Sequence, residues 1–284
     1  MSTRPTITAL VPAFNEVHNI EDCLACLTWA DQIIVCDSFS TDNTVDIARK
    51  FTEDIFQHEY VDSATQKNWA METLPIRGDW TLIVDADERV VPELASEIRE
   101  TLAVADSECI GYFINRRNLF FGKWIRHAGF YPSWNLRLFR TGAARYECKK
   151  VDADVQTIRP GKVEHLRHDM LHHTSPTIAS TVQRWNRYST WDALERTKPA
   201  EERDDCAIVA CASGRAATPL RRLYECLPGK PLLMFLYMYV LRGGFMDGKA
   251  GFYVCSLYAF RELLAGAKLW ELRRDPDIYR HDAR

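Results

Sequence analysis

The chain has 284 residues, 46% of them hydrophobic, 26% charged and 11% aromatic, which are the proportions of one large or two small folded domains and exclude a disordered, collagen-like or coiled-coil chain. Its 36 Lys and Arg against 39 Asp and Glu leave a net charge of −3, so no nucleic-acid partner is expected on electrostatics alone. The charge is uneven: 24 basic against 32 acidic residues over 1–205, net −8, and 12 against 7 over 206–284, net +5.

Thr6–Val11 reads as a first buried strand and leads straight into Pro12 with no charged region ahead of an apolar one, so no signal peptide and a cytosolic body are expected. Asn19–Leu27 follows as a helix with Ile20, Cys23, Leu24 and Leu27 on one face. Cys23 and Cys26 form a CxxC without a matching second pair and read as buried helix thiols. The odd total of 9 cysteines fits reduced thiols rather than a disulfide framework. Gln32–Cys36 is a second strand, Thr44–Phe51 a second helix and Trp80–Val84 a third strand; Pro92 opens a helix over Glu93–Leu102. This alternation predicts a parallel α/β layer. Beyond Cys109 the runs Gly111–Ile114 and Leu136–Arg140 predict a more antiparallel half, then a helix from Pro176 to about Thr197 and a polar boundary at Lys198–Asp205.

Two apolar segments close the sequence, Pro231–Leu241 and Gly251–Trp270, separated by a glycine-rich stretch. Neither has the roughly 18 uninterrupted apolar residues of a membrane span. With Arg242, Lys249, Arg261 and Lys268 interspersed, they fit either an interfacial helix pair on an anionic leaflet or a buried hairpin, and periodicity does not separate the two.

In open α/β sheets ligands sit at the carboxyl ends of strands. Here those ends read Pro12-Ala13-Phe14-Asn15-Glu16, Asp37-Ser38-Phe39-Ser40-Thr41-Asp42 and Asp85-Ala86-Asp87-Glu88. Three carboxylate-bearing loops on one edge call for a cation or a hydrogen-bonding ligand. Asp85 and Asp87, two apart after a buried strand, can both face a hard cation; Asp152/Asp154 and Asp275/Asp277 repeat the spacing without such a strand and read as turns or caps. No GxGxxG, GxxxxGK[ST] or GxSxG occurs, so dinucleotide, P-loop and α/β-hydrolase sites have no support. His165, His168 and His172 invite a zinc reading, and hence a zinc hydrolase as a rival.

The succession PAFNE, DSFSTDNT and DADE resembles the inverting glycosyltransferases of family 2. The runs Gly122-Lys123-Trp124, Gly129-Phe130-Tyr131-Pro132, Leu136-Arg137-Leu138-Phe139-Arg140, Trp185-Asn186-Arg187-Tyr188, Gly243-Gly244-Phe245-Met246-Asp247-Gly248 and Lys268-Leu269-Trp270-Glu271 are similar to its lipopolysaccharide-core β-1,4-glucosyltransferase subgroup. The resemblance implies an α/β chain of GT-A nucleotide-diphospho-sugar transferase fold, with a mixed, mostly parallel central sheet flanked by helices. Residues 1–205 would be the catalytic domain and 206–284 a basic, apolar helical extension. It implies a nucleotide-sugar site walled by Pro12, Ala13, Asn15 and Glu16, with Asp37 at the uracil edge beside Asp42, Lys67 toward the diphosphate and Asp85 with Ala86 at the ribose or the metal. Asp87, joined by His172, would hold Mg²⁺ or Mn²⁺. Where the subgroup has a His-Glu pair this chain has Val151-Asp152, so Asp152 is the expected base that deprotonates the acceptor hydroxyl, with Glu147 in reserve. Trp134 and Arg137 are expected to line the acceptor pocket by stacking and by pairing with a phosphorylated sugar. The expected donor is a UDP-sugar, first UDP-glucose, and the acceptor a lipid-linked saccharide such as a lipopolysaccharide core, met on the inner face of the cytoplasmic membrane. A saccharide- or nucleotide-binding protein that has lost catalysis is the rival from another class, motivated by the replaced base.

Overall fold

The computed structural model describes residues 4–147, 154–175, 177–197 and 229–279. They group into two compact units, Met1–Arg116 with Trp134–His172, and Arg117–Ser133 with His173–Arg284. The expected domain boundary near residue 205 lies outside the described residues.

The first unit is built on β1 (Ile7–Ala13), β2 (Gln32–Asp37), β3 (Ile55–Gln57) and β4 (Trp80–Ile83). These four are mutually parallel, with Leu10 opposite Ile34 and Ile83. β1 is buried along nearly its whole length, because helices cover both faces and the pleat sends alternate side chains each way. Ile7, Ala9, Val11 and Ala13 join Trp80, Leu82 and Val84 in one core layer under α1 (Ile20–Ala25) and α4 (Pro92–Ala103). Leu10, Ile34, Cys36 and Ile83 join the opposite layer under α3 (Ser63–Thr73). The expected helix after β2 is α2 (Thr44–Ala48).

The later strands are β5 (Glu88–Arg89), β6 (Cys109–Phe120), β7 (Lys123–Trp124), β8 (Trp134–Arg140), β9 (Ala144–Tyr146), β10 (Val155–Thr157), β11 (Lys162–His165) and β12 (Met170–Ser175). The main sheet runs β3-β2-β1-β4-β8-β6-β12-β5. β8 is antiparallel to both β4 and β6, as the change of texture after Cys109 predicts. Short β5 lies antiparallel to β12, placing His172 opposite Glu88.

α3 was not expected, and its composition explains why. Its covered face carries Gln66, Lys67 and Asn68 beside Ala64 and Ala70, so no apolar stripe marks it in the sequence. Its start is fixed by Asp62, whose carboxylate accepts from the Thr65 amide at 2.7 Å.

The second unit holds α5 (Ile178–Thr197), α6 (Lys230–Leu236) running into a π-helical turn at Tyr237–Leu241, a 3₁₀ turn at Gly244–Asp247, and α7 (Gly248–Arg274). Glycines let the 3₁₀ turn and α7 touch: a Cβ on Gly251 would strike the Gly244 carbonyl. Of the two readings open for Arg261 and Lys268, the leaflet-facing one is corrected here. Both are buried, Arg261 pairing with buried Asp192 at 2.9 Å and Lys268 donating to the Asn186 side chain, Ser189 and Thr190 at 2.7–2.9 Å. An unpaired charge in that position would cost too much to bury. Arg242 and Lys249 are exposed. Among the described residues no helix is long and apolar enough to cross a membrane.

Candidate active site

The first two strand-end loops are laced together by short polar side chains. The Asn15 carboxamide oxygen accepts from the Thr41 amide at 2.8 Å while the Asn15 amide donates to Ser40 Oγ at 2.9 Å. The Glu16 amide donates to Thr44 Oγ1 at 2.8 Å, and Asp42 accepts from the Val17 and Thr44 amides. Burial opposes ionisation of Asp42, but the Thr44 hydroxyl and amide outweigh it and bring its carboxyl below the usual range. Asn15 and Phe39 both sit at positive φ, 53° and 58°, a conformation that non-glycine residues hold only where surrounding contacts enforce it. Pro12 is half-buried and Ala13 buried, forming a wall rather than a polar contact.

Several expected ligand contacts are already committed within the chain. Asp37 is fully buried; its carboxylate accepts from the Ser40 hydroxyl and amide at 2.5 and 3.0 Å and from Gln57 Nε2 at 3.0 Å. That leaves about one acceptor position of four for a base edge. Glu16 accepts from Asn19 Nδ2 at 2.7 Å. The exposed rings of this edge are Phe14 and Phe39, with Phe14 stacked on Tyr60 at 6.5 Å; their hydrophobicity at a strand end was the available signal, and the sequence reading passed over it.

At the third strand end the charges are resolved into a buried network. Lys67 Nζ meets Asp85 Oδ1 at 2.6 Å, and Arg137 reaches Asp85 Oδ2 at 2.5 Å, Glu88 Oε1 at 2.7 Å and the Tyr146 hydroxyl at 2.9 Å. Glu88, wholly buried, also accepts from the Asp85 amide at 2.9 Å and lies 3.4 Å from Arg116. Burial pushes the Asp85 carboxyl up, but Arg137 and Lys67 outweigh it and hold it well below the usual carboxylate range. Both Asp85 oxygens are therefore taken, so its expected contact with ribose or metal competes with two cations. Arg137 is likewise corrected: only 4% exposed, it stands inside the site as the counter-ion of Asp85 and Glu88, and offers no surface to an acceptor. An arginine flanked by Leu136 and Leu138 in a central strand has to be paired, and that was the signal for it. The Nε atoms of Arg116 and Arg137 are buried without an acceptor among the described residues.

Asp87 points elsewhere. The β5–β12 pairing carries His172 beside it, with His172 Nε2 3.5 Å from Asp87 Oδ2, while Ala86 between the two aspartates is buried. The zinc reading of the histidines is overturned. His165 stacks on Phe113 and edges onto Trp134, at 4.9 and 4.7 Å, and His168 Nδ1 lies 2.8 Å from Glu97, so the three rings serve three separate partners. Among the described residues no group of three or more His, Cys, Asp and Glu side chains can hold a metal ion. The five described cysteines are free thiols. Trp134 is exposed at the start of β8. Asp152 and Val151 lie outside the described residues, and Glu147 accepts from Gln156 across the β9–β10 pair.

Residues 8–169, more than half of the chain, match the family model described as Glycosyl transferase family 2. The chain is 27% identical over 282 residues to the lipopolysaccharide core biosynthesis glycosyltransferase LpsC of Rhizobium meliloti (strain 1021), covering 96% of each protein. It is 26% identical over 270 residues to the uncharacterized glycosyltransferase RT0209 of Rickettsia typhi, covering 92% of this chain and 82% of that one. Among solved structures it is similar to that of S. aureus TarS 1-349, with a TM-score of 0.48 and 14% identity over 95% of this chain and 91% of the other.

Proposed function

This chain belongs to glycosyltransferase family 2 and has the GT-A fold, and from that premise we propose that it transfers a sugar from a UDP-sugar, first glucose, to a lipid-linked saccharide, with inversion at the anomeric carbon and with Mg²⁺ or Mn²⁺. The observation that carries the proposal is the separation of the two aspartates. Asp85 is neutralised by Lys67 and Arg137, while Asp87 stands apart from them, 3.5 Å from His172. One carboxylate and one imidazole, with no thiolate and no third protein ligand among the described residues, fit a cation that keeps water and takes its remaining ligands from substrate phosphates. A closed structural zinc site requires four protein donors.

Bound there, the cation supplies charge neutralisation on the departing nucleoside diphosphate. The chain's own residues do the rest. Lys67, Arg116 and Arg137 set three cations against the Asp85 and Glu88 carboxylates, a surplus of positive charge that favours a diphosphate. Lys67 and Arg137 keep Asp85 ionised and fixed, so the loop that carries Asp87 is held from one side. The Asn15–Ser40–Thr41 lacing shapes the wall for the base, with Asp37 behind it. Asp152 takes the proton of the attacking hydroxyl.

The acceptor class follows from the resemblance to LpsC, and the second unit supports a membrane-surface location. Leu241, Phe245 and Met246 are 77%, 53% and 63% exposed around the α6–α7 elbow, with Arg242 and Lys249 exposed beside them. Apolar residues ringed by cations suit the cytoplasmic face of an anionic leaflet.

The deciding experiment is nucleotide release from UDP-, GDP-, ADP- and dTDP-sugars with Mn²⁺, Mg²⁺ or EDTA. Metal-dependent turnover of one UDP-sugar, reduced at least about 100-fold in Asp87→Ala, is the expected result. Full activity in EDTA, or an unchanged Asp87→Ala enzyme, would overturn the metal assignment, and preference for another nucleotide would overturn the donor.

A further inference from the structure

The segment from Cys109 to Tyr146 contains Arg116, Arg117, Lys123, Arg126, Arg137, Arg140 and Arg145 and no Asp or Glu. Arg137 and Arg116 are used in the site described above. Arg117, Lys123 and Arg126 fall in the second unit, in and beside the loop that turns between β6 and β7, and the donor chemistry does not use them.

Their arrangement is specific. Two guanidiniums lie over one indole, with Arg117 Cζ 4.9 Å and Arg126 Cζ 4.1 Å from the Trp124 ring centroid, and Tyr131 meets the same ring edge-on at 5.2 Å. Arg126 is exposed, and a guanidinium held over an indole offers N–H donors in a fork that matches a phosphate or carboxylate. The Trp124 indole N–H is buried with no acceptor among the described residues, an arrangement that is costly unless an acceptor arrives.

The next residue is fixed by an acid from the 3₁₀ turn at Gly244–Asp247. Asp247, 4% exposed, accepts from the Arg126 and His127 amides at 3.2 and 2.9 Å and lies 3.0 Å from His127 Nδ1. With Nδ1 turned to Asp247, Nε2 is the ring nitrogen left for a ligand, and His127 is a third exposed. Lys123 anchors the same elbow by donating to the Asp247 carbonyl at 2.7 Å. The loop is held at Phe121 and Ala128 with φ of 53° and 57°, strain of the kind found where a fold fixes a binding loop.

We propose that Trp124, Arg126 and His127, with Arg117 behind them, form a subsite for an anionic saccharide, a sugar ring carrying a phosphate or carboxylate. The Arg126 guanidinium and the indole N–H take the anionic oxygens, and His127 Nε2 hydrogen-bonds a ring hydroxyl. This rests on the transferase reading and names the chemical class of saccharide that the second unit takes.

The test is calorimetry on the full chain with glucose 6-phosphate, glucuronate, glucose and inorganic phosphate, and UDP with Mn²⁺ as a separate arm. Glucose 6-phosphate and glucuronate are expected to bind at least about tenfold more tightly than glucose and than phosphate alone. Arg126→Gln and Trp124→Phe are each expected to weaken them about tenfold, and Arg126→Lys to recover only part of the loss. UDP binding should be unchanged in all three. Equal affinity for glucose and its phosphate, tight binding of bare phosphate, or indifference to Arg126→Gln would each overturn the subsite. So would an Arg126→Gln variant that loses anionic vesicles while keeping the sugars. Failure of wild type to bind UDP would count against the donor reading instead, and a surface substitution such as Arg126→Gln leaves folding, checked by melting, as a separate readout.

Discussion

Lys67 on α3 and Lys268 on α7 are both lysines whose charge is turned inward, one in each compact unit, and they are solvated by opposite means. Lys67 meets a carboxylate, Asp85, at 2.6 Å, and that carboxylate is shared with Arg137. Lys268 is cradled by oxygens of Asn186, Ser189 and Thr190 along α5. The first is part of a charged network at the carboxyl ends of strands, where a ligand of opposite charge can compete for its members. The second joins two helices and is spent there. The sequence sends Lys67 to a diphosphate and leaves Lys268 between a lipid surface and a buried hairpin, and in the structure each is answered from within the chain. A lysine's exposure cannot be read from its polarity, because the cost of burial depends on what lies opposite.

The comparison can be tested from its strongest contrast downward. Deleting 231–284 removes Arg261, Glu262 and Lys268 together and breaks the Arg261–Asp192 and Glu262–Arg196 pairs; the truncated chain is expected to aggregate on size exclusion. Asp85→Asn should cost about 3–5 kcal/mol in denaturant unfolding, the range for breaking a buried pair, and should abolish UDP binding. The same carboxylate sets an acid limb. Its folded-state value lies below the unfolded value of about 3.9, so its contribution is complete above that pH and is lost as pH falls further. Asp79, held down mainly by the Thr6 amide and hydroxyl, adds to the same limb, as does Asp42. Wild type should therefore lose stability below about pH 4, and Asp85→Asn should show a flatter curve there.

Lys67→Met is expected to cost about 3 kcal/mol, the low end of that range because Arg137 still faces Asp85, and to weaken UDP. Lys268→Met leaves oxygens unmet, at about 1–3 kcal/mol, and should leave UDP binding untouched. Loss of UDP binding in Lys268→Met would erase the contrast between the two lysines. The smallest stability effect is expected of Leu241→Ser, Phe245→Ser and Met246→Ser combined, within about 0.5 kcal/mol per exposed site. Vesicle cosedimentation should nevertheless fall to the level of neutral lipid, and retained binding to anionic vesicles would remove the elbow from the membrane account.

The strands and helices that carry apolar patterns were legible. β1, β2 and β4 announce themselves as buried apolar runs, α4 by Pro92 and the Leu94, Ile98, Leu102 stripe, and the strand-end loops by their acids. α3 was not, because the face it buries is polar and its reward comes from partners distant in sequence: Gln66 on Ser38 and Cys36, Asn68 on Tyr146. Arg137 was seen but misassigned, since only the meeting of β8 with the loop after β4 brings it to Asp85 and Glu88.

The sequence by itself therefore determined the layered α/β order, the family and the set of acids at the sheet edge, since these depend on local periodicity and on the order of residues along the chain. Only the tertiary structure decided which acid is neutralised and which is left beside a histidine, and which basic residues face inward. Charge pairing acts over a few ångströms between residues tens of positions apart, and that distance is set by the fold alone.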